Sequence, residues 1–106
     1  YNADHVDWAK ELGCRTISFT PGSGSHRDFA PEDHQAFRPS QELIEGILDF
    51  EANAESGLNG HLLLLHLGSA RKDKIHPHIG ELTDQLGRRG YAFVRVDELL
   101  HGRADP

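Results

Sequence analysis

The run HLLLLHLGS, residues 61 to 69, narrows the folds open to this chain more than any other stretch. Four consecutive leucines leave the segment without a polar side, so both of its faces call for cover. Between the turn cluster SGLNG and Gly68 there is room for a strand but not for an ordinary helix. In a strand, Leu62, Leu64 and His66 share one face, and Leu63, Leu65 and Leu67 share the other. The histidine therefore closes an apolar wall, just ahead of a glycine and a serine.

The rest of the chain supplies the cover. DHVDWAKEL, residues 4 to 12, sets Val6, Ala9 and Leu12 near one helical face, with Gly13 as a stop. TISF, residues 16 to 19, is β-branched and aromatic and is broken by Thr20-Pro21-Gly22, which predicts a strand. Thr20 to Pro39 forms a long loop rich in Gly, Ser, Pro, Asp and His, and loops of that length are often functional. From Ser40 a helix follows, with Leu43, Ile44, Ile47 and Leu48 on one face; Leu43 stands where a capping box would have Glu or Gln. A third helix carries Ile75, Ile79, Leu82 and Leu86, with Pro77 in its first turn and Gly90 at its end. YAFVRV, residues 91 to 96, alternates like a strand, and Asp97 caps a short final turn, DELLHG. Helices alternating with apolar strands predict an α/β fold with parallel strands and right-handed crossovers. Open sheet and barrel remain equally compatible with that order.

Length and charge exclude several roles. One domain at most fits 106 residues, and such a chain buries a real core without disulfides or metals. The formal charge of -6 argues against a nucleic-acid partner, because phosphate contacts need clustered Lys and Arg. The densest basic stretch, Arg71, Lys72 and Lys74, is interrupted by Asp73 and reads as a solvated loop. No apolar run reaches the ~20 residues of a membrane helix. Tyr1-Asn2 opens on a polar helix start rather than an apolar leader. Cys14 stands alone, so no internal disulfide forms.

In parallel βα architectures, ligand groups collect at the carboxyl ends of strands. Phe19 leads into TPGSGSHRDF and Leu65 into HLGS, both polar and glycine-rich; the third end, DELL, is ordinary helix-start chemistry. His66 is the sharpest residue, because an imidazole against aliphatic walls suits a general acid or base, with a satisfied core histidine as the plainer alternative. Metal-ligand spacing is absent: His76 and His78 point to different faces, as do His61 and His66, and no H-E-x-x-H or paired C-x-x-C occurs. His5, His61, His76, His78 and His101 read as solvated surface residues. GSGS, residues 22 to 25, lacks the ending of a phosphate loop and the elbow of a serine hydrolase, so Ser23 or Ser25 with His66 is a weak nucleophile pair. Trp8 reads as helix packing and Arg38 as a surface ion-pair partner.

With these parts placed, the chain resembles the C-terminal half of the polysaccharide deacetylases (NodB-type, carbohydrate esterase family 4). The leucine segment is similar to the family's last motif, Leu-x-Leu-x-His, at Leu62, Leu64 and His66. WAKELGCRTISFTPGSGSHRDF, GLNGHLLLLHLGS and ELTDQLGRRGYAFVRVDELL are similar in order and spacing to a bacterial subgroup, and together span nearly all of the chain. The resemblance implies that residues 1–106 form a single partial domain, resembling the C-terminal part of a distorted (β/α) barrel. It implies removal of N- or O-acetyl groups from polysaccharides, with a divalent metal, usually zinc, polarising the acetyl carbonyl. His66 would be the general acid that protonates the leaving group, Asp28 in SHRDF would orient it, and Leu62 and Leu64 would line the pocket for the acetyl methyl. Phe29 stands where the family often has Trp, and Leu67 where many members carry Asp.

The family's metal-binding, base and Arg-x-Pro motifs have no counterpart in these residues. The resemblance thus implies zinc in the complete protein but no metal for this chain alone, and a chain that is catalytically incomplete by itself. The partners expected are an acetylated polysaccharide and either a missing N-terminal half or a second copy. A non-catalytic carbohydrate-binding or protein-interaction module, with a groove around Asp28, Trp8 and Phe37, is the alternative. Family members acting on cell-wall polymers are typically exported, so an extracellular or periplasmic location is expected by resemblance.

Overall fold

The computed structural model describes residues 2–101; Tyr1 and Gly102, which border the first and last expected elements, lie outside them. Four helices form among the described residues: α1 (Ala3–Glu11), α2 (Ser40–Asn53), α3 (Ile79–Arg88) and α4 (Val96–His101), with 3-10 turns at Ser25–Phe29 and His76–His78. No β-strand forms among the described residues, so the expected α/β fold with parallel strands, and with it the barrel, is overturned. Residues 16–19, 61–67 and 91–96, expected as strands, carry no ladder, and Val96 instead opens α4.

The reason lies in what satisfies the leucine run. A single backbone bond, from Thr20 N–H to the Leu62 carbonyl at 2.9 Å, joins the first two segments. Otherwise side-chain oxygens stand where a neighbouring strand's carbonyls would be. Leu62 N–H donates to Thr20 Oγ1 at 3.0 Å, Leu64 N–H to Ser25 Oγ at 3.2 Å, and His66 N–H to Asp28 Oδ2 at 2.5 Å. Bonding at every second residue is the habit of an extended chain. Local hydroxyls and a carboxylate have competed successfully with a backbone ladder. Leu63 and Leu65 pack against the core, whereas Leu64 and Leu67 are exposed, so neither face of the run is covered along its whole length.

The core is small and belongs to α2 and α3. Leu43, Ile44 and Ile47 of α2 meet Leu82 and Leu86 of α3, with Leu58 and Ile75 between them. The apolar spacing of both helices dictates this, and each fully buried Ile or Leu contributes about 1.5–3 kcal/mol. Ile75 was expected on the third helix; it precedes the His76–His78 turn, and Pro77 sits within that turn, where its missing N–H costs little. Helix α2 has no local side-chain cap. Asp73 caps it from a distance, its Oδ2 accepting Ser40 N–H at 2.7 Å and its carbonyl accepting the Ser40 hydroxyl at 2.9 Å.

Arg71, expected on a solvated loop, is 1% exposed. Its guanidinium lies 4.6 Å above the Phe37 ring and donates to the Arg38 carbonyl at 2.5 Å and the Asp73 carbonyl at 2.6 Å. The planar, weakly hydrated guanidinium tolerates this burial where an ammonium would not. Trp8 also departs from expectation. Helix α1 opens with a reciprocal cap between Asn2 and His5 but buries nothing, and Trp8 is 57% exposed. Neither α1 nor α4 packs on another helix. The radius of gyration, 15.6 Å, accordingly exceeds the ~13 Å of a compact chain near this length.

Candidate acid–base site

The 3-10 turn Ser25–Phe29 brings Asp28 beneath the end of the leucine run. Gly24, at φ +79°, makes the backbone reversal that starts this turn, a conformation that suits glycine. The Asp28 side chain is fully buried, and both of its oxygens go to one residue. Oδ2 accepts the main-chain N–H of His66, and Oδ1 lies 2.6 Å from His66 Nδ1. The ring of His66 keeps 37% of its side-chain surface open to solvent. With a carboxylate as acceptor, Nδ1 carries a proton, and Nε2 is left as the reactive nitrogen. Phe29 sets its edge against the same imidazole, with ring centroids 6.3 Å apart, and against His34 at 5.6 Å.

Of the four residues singled out from the sequence, Asp28 and His66 are thus in contact across 38 positions. Leu62 and Leu64 do not join them in one pocket. Leu62 lines a large apolar groove that excludes Leu64 and His66, and Leu64 is open to solvent. Ser25 and Ser23 are poorly placed as nucleophiles: Ser25 is buried with its Oγ on Leu64 N–H, and Ser23 Oγ accepts Ser25 N–H. Arg38 reaches Glu42 at 3.7 Å, a surface pair, while His61, expected in solvent, is half-buried beside Phe50.

The loop histidines do not assemble a metal centre. His26 stacks on Phe19 at 4.9 Å, His34 Nδ1 accepts Ala36 N–H at 2.9 Å, and His66 Nδ1 is held by Asp28. No three His, Cys, Asp or Glu side chains gather in ligand geometry among the described residues. A tetrahedral zinc site needs such a set, so the residues present do not fit zinc.

Glu32, which pattern reading passed over, and Arg71 and Asp73, expected in a solvated loop, hold together the loops around the site. The Glu32 carboxylate accepts Lys72 N–H at 2.9 Å and Asp73 N–H at 2.8 Å, tying the long loop to residues 72–73. Those two backbone donors hold Glu32 below its ordinary value, the Lys72 N–H contributing most. Asp73 then passes the tie to α2 through Ser40, and Arg71 to the loop through Arg38. A carboxylate just after a proline, Pro31-Glu32, was the only available hint.

No protein-family model matches the chain, and neither does any curated protein or solved structure. Among the described residues, no helix is long and apolar enough to cross a membrane.

Proposed function

We propose that His66, oriented by Asp28, is the general acid of a hydrolase that removes acetyl groups from a polysaccharide, as the resemblance to the polysaccharide deacetylases implies. One observation carries this reading: a buried carboxylate spends both oxygens on His66, fixing its backbone and its ring together. Such a grip holds the ring through Nδ1 and stabilises its imidazolium form, and it is that cation whose Nε2 proton passes to a leaving amine or alkoxide, returning the ring to the neutral Nδ1–H tautomer. A histidine kept only for packing has no need of a dedicated buried anion, whose desolvation is costly.

The chain supplies the acid alone. The metal and base of such a reaction would come from a complementing deacetylase half. An exported location goes with the same reading.

The test is acetate release from N- and O-acetylated oligosaccharides, with the chain alone and mixed with a complementing half. Activity is expected only in the mixture, and His66→Ala is expected to lower turnover ~100-fold or more while sugar binding persists. Full turnover without His66 would overturn the reading. Binding without turnover in every mixture would favour the non-catalytic module.

A further inference from the structure

His34 is exposed, yet its backbone and its ring are both held. Its N–H donates to the Pro31 carbonyl and its own carbonyl accepts Phe37 N–H, each at 2.9 Å. Its ring Nδ1 accepts Ala36 N–H at 2.9 Å, and the ring meets Phe29 in a T-shaped contact at 5.6 Å between centroids. The loop that carries it is pinned in turn by Glu32, whose carboxylate takes the Lys72 and Asp73 N–H groups. A ring nitrogen that accepts carries no proton, so neutral His34 is protonated on Nε2. Among the described residues, that Nε2–H donates to no protein group.

The same Phe29 ring touches the imidazole of His66, at 6.3 Å. One phenyl group therefore separates two histidines of opposite tautomer, since the Asp28 carboxylate keeps the proton of neutral His66 on Nδ1. Both rings lie within reach of one oligosaccharide. Fixing an exposed side chain costs rotamer entropy. A donor fixed in advance spares that cost when a ligand arrives.

We infer, resting on the deacetylase reading for the chemistry of the ligand, that His34 is a substrate-binding residue beside His66. Its Nε2–H donates to a hydroxyl or ring oxygen of the acetylated saccharide whose leaving group meets His66. The plainer role, a ring that only braces the Pro31–Phe37 turn through Nδ1, predicts different variants to fail.

The test is titration calorimetry of the full chain with an N-acetylglucosamine tetramer and an O-acetylated xylose tetramer. His34→Asn keeps an oxygen for Ala36 N–H, as in an Asx turn, but loses the donor. His34→Gln keeps an amide N–H near the place of Nε2. The Asn variant is expected to melt like the wild type and to bind ~5-fold more weakly or worse, with the Gln variant regaining most of the loss. In the wild-type chain, the nitrogen NMR signal of His34 Nε2–H is expected to move on saturation with sugar. An Asn variant that binds as tightly as the wild type overturns the inference, as does a Gln variant no better than Asn. A wild-type chain that binds neither tetramer, or whose His34 Nε2–H signal stays in place, overturns it too. Weak binding by His34→Asn with no acetate release from any mixture would keep this inference and overturn the deacetylase reading. Acetate release with unaltered binding by His34→Asn would do the reverse.

Discussion

Asp73 caps a helix that begins 33 residues before it, receiving both the N–H and the hydroxyl of Ser40. The helix so capped, α2, carries three of the core residues, and its first turn offers donors that Pro39 cannot satisfy with a side chain. The cap therefore links the loop after the leucine run to the centre of the molecule.

Losing that cap should be felt globally. Asp73→Ala is expected to cost about 1–2 kcal/mol, the usual worth of a helix cap, and Asp73→Asn distinctly less because the amide oxygen still accepts Ser40 N–H. Urea unfolding of the two variants checks this; equal losses would mean that charge rather than capping matters.

Glu32 gives the chain an acid-sensitive joint. Its carboxyl is held below its ordinary value of about 4.5 by the Lys72 and Asp73 N–H groups, so the folded state favours its ionised form. The contribution to stability is present above the ordinary value and is lost as pH falls through the lower folded one. Glu32→Gln is expected to remove that part of the acid slope while changing little in slope above neutral pH. Unfolding midpoints measured from neutral pH down to acid check it; an unchanged acid slope would contradict it.

Asp28 should matter to folding as well as to chemistry. Asp28→Ala leaves the N–H of His66 without its acceptor in a buried place and is expected to destabilise the chain by about 2–3 kcal/mol. Asp28→Asn retains an oxygen for that N–H and is expected to cost less than half as much, yet to disturb the ring. Denaturant unfolding separates the two, and equal stability of Asp28→Ala and wild type would remove the buried grip from the account.

How much of this was legible in the sequence depends on the range of the interaction. The apolar spacing of Leu43, Ile44 and Ile47, and of Ile79, Leu82 and Leu86, located both core helices, because a helix writes its buried face into neighbouring positions. Within the leucine run Leu63 and Leu65 do pack against the core, but the expected alternation fails at Leu67, which is exposed, and at Leu62, which is half-buried. Periodicity could not tell whether such a segment finds a strand beside it. Here Thr20, Ser25 and Asp28 occupy that edge with side chains, and a sheet expected from pattern is absent. The burial of Arg71 was illegible for a similar reason, since Phe37 and the Arg38 carbonyl lie more than 30 positions away in sequence. The Asp28–His66 contact spans 38 positions, and no local spacing marks it; only the family resemblance pointed to the pair.

The most direct test of the account is the tautomer of His66, read by nitrogen NMR of the histidine rings in the wild-type chain and in Asp28→Asn. The account predicts that neutral His66 carries its proton on Nδ1 in the wild type, with Nε2 bare, and that this preference weakens in the variant. A neutral His66 protonated on Nε2 in the wild-type chain would contradict it, because the buried carboxylate would then not be orienting the ring.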